Sequence, residues 1–239
     1  MTPMMVVEMR ADRRDVHPAT DGETPQASLQ RLEEAILAWP SLEAREWTRR
    51  MVQAAGANPA VLAVVAIGSA VRAVEAADDV DFLIIHASHE TADLGPLPLD
   101  VDVLAYPATL VDDKLAAGHD LLGWAVQFGV LVFERQQFWS CLTERWINRV
   151  PLPSADHAAE RAARARRLTE ELRAVGDLEA AAEQNVWWLT QDARTRLIRA
   201  GVYPASRPEL AEQLREIGAY PQADELEAAL ADRLRTSVS

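Results

Sequence analysis

The sequence predicts an α/β (α+β) fold in which a small mixed-sheet domain is followed by an all-α helical bundle. Short runs of β-branched and aliphatic residues predict buried strands at residues 61–67, 80–86 and 99–106. Beyond residue 156, apolar residues recur with a helical period and no strand-like run is present. Two prolines interrupt the pattern at residues 150–156, which predicts the boundary between the two domains there.

The first domain is predicted to cover residues 27–150 and to begin with two helices. Residues 1–26 mix charged and turn-forming residues without a sustained period, which predicts a flexible tail. From Ser28 onwards apolar residues return at helical spacing, and Pro40 divides this stretch into two helices. The strand at residues 61–67 follows, and its apolar composition is typical of a strand buried on both faces.

Helices are predicted again after the third strand. Pro107 opens a helix that runs to about Ala117, and the apolar stretch that follows predicts a second helix ending near Gly129. Residues 136–149 predict a third helix, which leads into the domain boundary.

The second domain, residues 151–239, is predicted to be a small antiparallel bundle. Its helices are expected near residues 157–175, 178–200, 207–217 and 221–235. Glycines stand where C-terminal caps belong, and prolines stand where helices restart. These residues are Gly176, Gly201 and Gly218, and Pro208 and Pro221.

The net charge restricts the classes of function. The chain carries a formal charge of −13, and an acidic protein repels a polyanion, so broad binding to duplex DNA is not expected. A nucleotide remains a possible ligand if metal ions bridge the two negative partners. The single cysteine, Cys141, excludes an internal disulfide, and no apolar run reaches the roughly 20 residues that span a bilayer. We therefore expect a cytoplasmic protein with no membrane partner.

The segment 67–85 contains the residues with the clearest chemical role. The first strand leads into a turn at Gly68 and Ser69, and Asp79 and Asp81 follow at the start of the next strand. Residues i and i+2 of a strand face the same side, so these two carboxylates point together, about 7 Å apart along the backbone. Carboxylates at this distance repel each other, and a bound cation is the usual reason to keep them.

Phosphoryl and nucleotidyl transfer require such an arrangement. One magnesium ion can activate the attacking hydroxyl while a second shields the triphosphate and the leaving pyrophosphate, with the two ions about 3.5–4 Å apart. Carboxylate oxygens are the ligands that this hard cation prefers. Gly68 allows the backbone to approach a phosphate closely, and the Ser69 hydroxyl and the turn amides can hydrogen-bond to its oxygens.

These residues resemble the signature of the DNA polymerase beta-type nucleotidyltransferases, a superfamily that includes minimal and aminoglycoside nucleotidyltransferases. The matching residues are Gly68-Ser69, Arg72 and Asp79-Val80-Asp81, followed by a hydrophobic strand. The resemblance implies that residues 27–150 form a nucleotidyltransferase domain. It also implies that the aspartates are catalytic and hold two Mg²⁺ ions, and that Gly68, Ser69 and Arg72 bind the nucleoside triphosphate.

Members of the superfamily take a third acidic residue from a later strand. Asp100 and Asp102 are both candidates here, and strand alternation places them on one face. We favour Asp102, because the following Val103-Leu104 resembles the family pattern better, and Asp100 is the alternative. This third carboxylate would complete the metal site and accept the proton of the acceptor hydroxyl.

The C-terminal bundle, over residues 187–214, resembles the HEPN-like helical domain that is often fused to these enzymes. The resemblance implies transfer of a nucleoside monophosphate, with AMP from ATP favoured over another NTP, to an acceptor hydroxyl with release of pyrophosphate. The acceptor stays open among a small molecule, an RNA end and a protein side chain. An alternative from another class is a non-catalytic antitoxin or partner protein with the same fold, acting with a second protein or as a homo-oligomer.

Overall fold

The structure is a computed structural model of the chain, and it describes residues 25–72, 78–87 and 95–236. Within these ranges the chain forms a four-stranded mixed sheet and nine α-helices, and the helical part follows the sheet. The predicted fold class is therefore confirmed. The predicted tail, residues 1–26, lies outside the described residues except for its last two positions, where the first helix already begins.

The first part of the chain contains five helices and the four strands. In chain order these are α1 (Pro25–Ala35), α2 (Leu42–Ala57), β1 (Val61–Ile67), β2 (Val80–His86), β3 (Val101–Pro107), α3 (Ala108–Ala116), α4 (Asp120–Phe128), β4 (Val130–Glu134) and α5 (Phe138–Trp146). Pro40 does separate the first two helices. Ser41 begins α2, because its side chain accepts a hydrogen bond from the Ala44 N–H at 3.0 Å.

The order of the strands brings several strand ends to one edge of the sheet. The order is β3-β2-β1-β4, with β1 antiparallel to both β2 and β4, and β2 parallel to β3. The end of β1 therefore lies beside the beginnings of β2 and β4, and the beginning of β3 lies beside that of β2. Ile67 pairs with Asp81, and Asp81 pairs in turn with Asp102. This register places the Gly68 turn and both predicted aspartate strands at the same edge.

Strand β4 is absent from the sequence prediction. The preceding helix ends at Phe128, close to the predicted end, but the next residues form a strand rather than a loop. A short apolar run that follows an apolar helix shows no change of period, so sequence alone does not separate the two. Gly129 makes the change possible, because a Cβ there would lie 2.5 Å from the Ala125 carbonyl oxygen and 2.8 Å from Val65 Cγ1.

The second part of the chain contains helices and no strand among its described residues. It contains α6 (Ala155–Ala174), α7 (Leu178–Arg199), α8 (Leu210–Glu216) and α9 (Tyr220–Thr236), with a 3₁₀ turn at Arg207–Glu209 before α8. The predicted caps are confirmed, since Gly176, Gly201 and Gly218 have φ of 82°, 81° and 78°. A separate apolar core joins α7, α8 and α9 through Leu189, Ala193, Leu197, Leu210, Ala211, Leu214, Ala223 and Leu226.

Asp120, at the start of α4, links the two parts of the chain. Its carboxylate accepts hydrogen bonds from Arg161, at 3.2 Å, and from Arg194. Its backbone carbonyl accepts a third from the Tyr203 hydroxyl at 3.2 Å, and the Tyr203 ring packs edge-on against Phe128. The helical bundle is thereby held against the sheet domain.

Two further predictions concern the domain boundary and the absence of a membrane-spanning segment. The segment 150–156 connects α5 to α6, and its role as a domain boundary stays a prediction. In the part of the chain that the structure describes, no helix has the length and apolarity that crossing a bilayer requires.

Candidate active site

The turn after β1 is shaped for a close approach. Gly68 has φ 80° and ψ −162°, a conformation that residues with a side chain rarely adopt. A Cβ on Gly68 would lie 2.2 Å from Oδ2 of Asp81. The Asp81 carboxylate therefore occupies the space that a side chain at position 68 would need. Ser69 begins a 3₁₀ turn that ends at Arg72, and the turn is tied to the α1–α2 connection by the Leu37 N–H, which donates to Ala70 O at 2.9 Å.

Gly68→Ala is expected to destabilise the protein by about 3 kcal/mol or more, because backbone strain and the overlap with Asp81 add. The measurement is the free energy of unfolding from urea denaturation. Gly176→Ala is the matched control, since Gly176 has the same sign of φ but open space around its Cβ position, and it should cost only about 1 kcal/mol. Equal losses in the two variants would contradict the close approach to Asp81.

The three favoured carboxylates are brought together at this edge. Asp79 directly precedes β2, and Asp81 is the second residue of that strand. Asp102 is the second residue of β3 and the register partner of Asp81. Neighbouring strands lie about 4.8 Å apart, and opposite residues of a parallel pair face the same side of the sheet. Asp79 and Asp81 are half-buried, whereas Asp102 is exposed.

The buried environment makes these charges costly. Burial, with the nearby charges of Asp79 and Asp102, raises the pKa of Asp81 to about 7, although the charge of Arg207 opposes the increase. The pKa of Asp79 is also raised, first by burial and then by the charges of Asp102 and Asp78. The negative charges of these aspartates are therefore not fully offset by the nearby arginines. This imbalance favours the binding of a cation.

The donor set fits magnesium in its chemistry. Three carboxylates on neighbouring backbone positions supply the oxygen ligands and the negative charge that Mg²⁺ requires. In their present side-chain positions, however, the described residues contain no group of three His, Cys, Asp or Glu side chains that could hold a metal ion. What the structure does bring together is the backbone of Asp81 and Asp102, which are register partners, with Asp79 directly before β2.

Asp100 is the residue directly before β3. Its backbone carbonyl accepts a hydrogen bond from the Val80 N–H at 3.0 Å, which ties it to the beginning of β2. The charges that raise the pKa values of both Asp79 and Asp81 include Asp102 and do not include Asp100. The choice of Asp102 as the third carboxylate, with Asp100 as the alternative, stays a prediction.

Arg72 contacts the helical bundle. Its guanidinium bonds to the Glu209 carboxylate, with Nε 3.1 Å from Oε2 and Nη2 2.5 Å from Oε1, and it lies over the Phe128 ring at 5.3 Å. Burial alone would raise the pKa of Glu209, but hydrogen bonds from Arg72 and Ser206 outweigh burial and lower it. The role of Arg72 in nucleotide binding stays a prediction, because in this structure its charge is satisfied by Glu209.

Two arginines of the helical bundle reach this edge and are absent from the sequence prediction. Arg233 forms ion pairs with Asp78 at 2.9 Å and with Glu183 at 2.8 Å. The charge of Arg207 acts on Asp79 and Asp81. No local pattern could have identified them, because they come near the aspartates only when the bundle docks on the sheet.

The chain is only distantly similar to known proteins. No protein-family model matches the chain, and no curated protein matches it. Among solved structures, the chain is similar to a nucleotidyltransferase-like protein from Exiguobacterium sibiricum 255-15, with 16% identity over 80% of this chain and 73% of that chain. The TM-score is 0.34. Values this low assign neither a family nor the role of any residue.

Proposed function

We propose that this protein is a metal-dependent nucleotidyltransferase. It transfers a nucleoside monophosphate, with AMP from ATP as the favoured case, to an acceptor hydroxyl and releases pyrophosphate. The observation that carries the proposal is the meeting of Asp79, Asp81 and Asp102 at one sheet edge, where Asp81 lies directly against the Gly68 turn. Carboxylates beside a glycine turn are suited to a metal-bound triphosphate.

Each group has a definite task in this reaction. Asp79, Asp81 and Asp102 would hold magnesium, which would supply positive charge at the acceptor oxygen and at the leaving pyrophosphate. The backbone amides of the turn and the Ser69 hydroxyl donate hydrogen bonds to phosphate oxygens. Asp102 orients the acceptor hydroxyl and receives its proton.

The transfer is a single displacement at the α-phosphorus, in which one bond forms and one breaks. The acceptor oxygen forms a bond to the α-phosphorus, and the bond from that phosphorus to the bridging oxygen of the β-phosphate breaks. The acceptor proton passes to Asp102, and the electron pair leaves with the pyrophosphate. Asp102 suits the role of base because it is exposed at the edge of the site, where an acceptor can reach it.

Thermal stability is expected to rise with ATP and magnesium together, and to change little with ATP in EDTA. Binding only to the folded state adds about 2.7 kcal/mol at a hundredfold excess over Kd. Without metal, the carboxylates face the phosphates unscreened and repel them. The measurement is the unfolding temperature with ATP, with magnesium, with both and with neither. An equal increase with and without metal would contradict this site.

A second experiment addresses the acceptor and the alternative class. Incubation with labelled NTPs and a cell extract identifies the acceptor as the species that becomes labelled. A protein that binds no nucleotide and co-purifies tightly with a second protein would instead be the non-catalytic partner. In that case the aspartates would be a remnant of the fold, and their replacement would leave partner binding unchanged.

A further inference from the structure

Arg207 contains a buried nitrogen without a hydrogen-bond partner. Its Nε atom is inaccessible to solvent, and no acceptor among residues 25–72, 78–87 and 95–236 bonds to it. A buried donor left unpaired costs about 1–3 kcal/mol, and more when it is charged. Such a group in a native structure calls for an explanation. A ligand can supply the missing acceptor if the Arg207 side chain moves to expose Nε when the ligand binds.

The turn that carries Arg207 is fixed on one side to the Gly68 turn. Ser206 begins this turn, and its N–H and hydroxyl donate to Oε2 of Glu209 at 3.2 and 2.5 Å. The same Glu209 carboxylate binds Arg72, at the end of the turn that follows β1. The position of Arg207 relative to the candidate phosphate-binding turn is therefore set by a continuous series of hydrogen bonds.

A second ion pair fixes the other side. Arg233 of α9 binds Asp78, directly before Asp79, and Glu183 of α7. Arg207 is close enough to the aspartates that its charge acts on both Asp79 and Asp81. Yet within the described ranges it forms no ion pair of its own, whereas Arg72 and Arg233 both have carboxylate partners. Arg207 is thus the arginine of this group with bonding capacity left for a ligand.

We propose that Arg207 binds the β- and γ-phosphates of the donor nucleoside triphosphate and holds the pyrophosphate as it leaves, so that the helical bundle completes the active site. This inference rests on the proposed function. A guanidinium donates two parallel hydrogen bonds to phosphate oxygens, and it keeps its charge when buried. Arg207 makes and breaks no covalent bond. It offsets negative charge that moves onto the pyrophosphate during transfer.

The test measures affinity for ligands that differ in their phosphates. In magnesium buffer, Arg207→Gln is expected to weaken the binding of ATP and of inorganic pyrophosphate by roughly 10- to 100-fold, the loss typical of a charged hydrogen bond. The binding of AMP should be unchanged, because AMP lacks both phosphates. Arg207→Lys keeps the charge without the planar pair of donors and should show a smaller loss. Arg199→Gln is the matched control, since Arg199 is an exposed arginine of the same domain that pairs with Asp156.

The outcomes separate this inference from the proposed function. A wild-type protein that binds neither ATP nor pyrophosphate with magnesium overturns both. A wild-type protein that binds them, with an Arg207→Gln variant of equal affinity, overturns only the role of Arg207. Equal losses for ATP, pyrophosphate and AMP would indicate a structural role and would also overturn it.

A measurement on the unaltered protein covers the case in which Arg207→Gln does not fold. The Arg207 Nε–H resonance can be assigned by its disappearance from the ¹H–¹⁵N spectrum of Arg207→Lys. Titration of the wild type with magnesium pyrophosphate is expected to shift this resonance, because Nε gains an acceptor. A resonance that stays in place while pyrophosphate binds would overturn the proposal.

Discussion

Asp81→Asn is expected to abolish nucleotidyl transfer and leave the fold intact. The amide keeps the shape of the side chain but removes the negative charge that a metal ligand needs. Transfer is measured with labelled ATP, and the fold is checked by circular dichroism. Asp79→Asn should behave in the same way, whereas Asp113→Asn, an exposed position on α3, should leave transfer unchanged.

The same variant is expected to change how stability depends on pH. The pKa of Asp81 is about 7 in the folded protein and close to 3.8 when the chain is unfolded. Because the folded-state pKa is raised, the folded form binds the proton more tightly. The contribution of Asp81 to stability is therefore fully present below about pH 4, and it is lost as the pH rises through 7.

Unfolding in EDTA as a function of pH measures this contribution. The wild type should lose stability between about pH 4 and pH 7, and this loss should be much smaller in Asp81→Asn, where only the raised pKa of Asp79 still contributes. At pH 8 the variant should be the more stable protein by a few kcal/mol, since each pKa unit corresponds to about 1.4 kcal/mol. If Asp81→Asn instead unfolds while the metal-free parent is stable, this aspartate is structural and its assignment to the site is wrong.

The sequence was sufficient where the signals are local. Strands β1 and β2 are runs of buried aliphatic residues, and the caps at Gly176, Gly201 and Gly218 are set by the backbone conformation that glycine adopts. The grouping of Gly68 with Asp81 also follows from a single strand–turn–strand unit. In each case the interaction is decided within a short stretch of chain, where periodicity and turn chemistry apply.

The remaining features depend on how distant segments pack. Strand β4 forms because the chain after Gly129 pairs with β1, and no local signal distinguishes it from the apolar helix that precedes it. The ion pair between Arg72 and Glu209 joins the sheet part of the chain to the helical bundle, and the placement of Arg207 depends on the same docking. A motif identifies residues that act together along the chain, but not the partners that the tertiary fold adds.

The choice between Asp100 and Asp102 can be decided by a direct comparison. Asp102 is the register partner of Asp81, and its charge raises the pKa values of Asp79 and Asp81. Asp100 precedes β3, where its backbone carbonyl accepts the Val80 N–H. If Asp102 completes the site and receives the acceptor proton, Asp102→Asn should reduce turnover by about 10²–10⁴-fold, the range typical for loss of a general base.

ATP affinity should survive in Asp102→Asn, because Asp79 and Asp81 would still hold a metal ion against the phosphates. Asp100→Asn should be much milder in turnover, since it removes a charge of the same sign from the same edge without removing a site carboxylate. Steady-state turnover and ATP affinity of both variants are the measurements, and each variant serves as the control for the other. The reverse ranking would move the role to Asp100. Full activity in both variants would exclude strand β3 from the mechanism, and the metal would then depend on Asp79 and Asp81 alone.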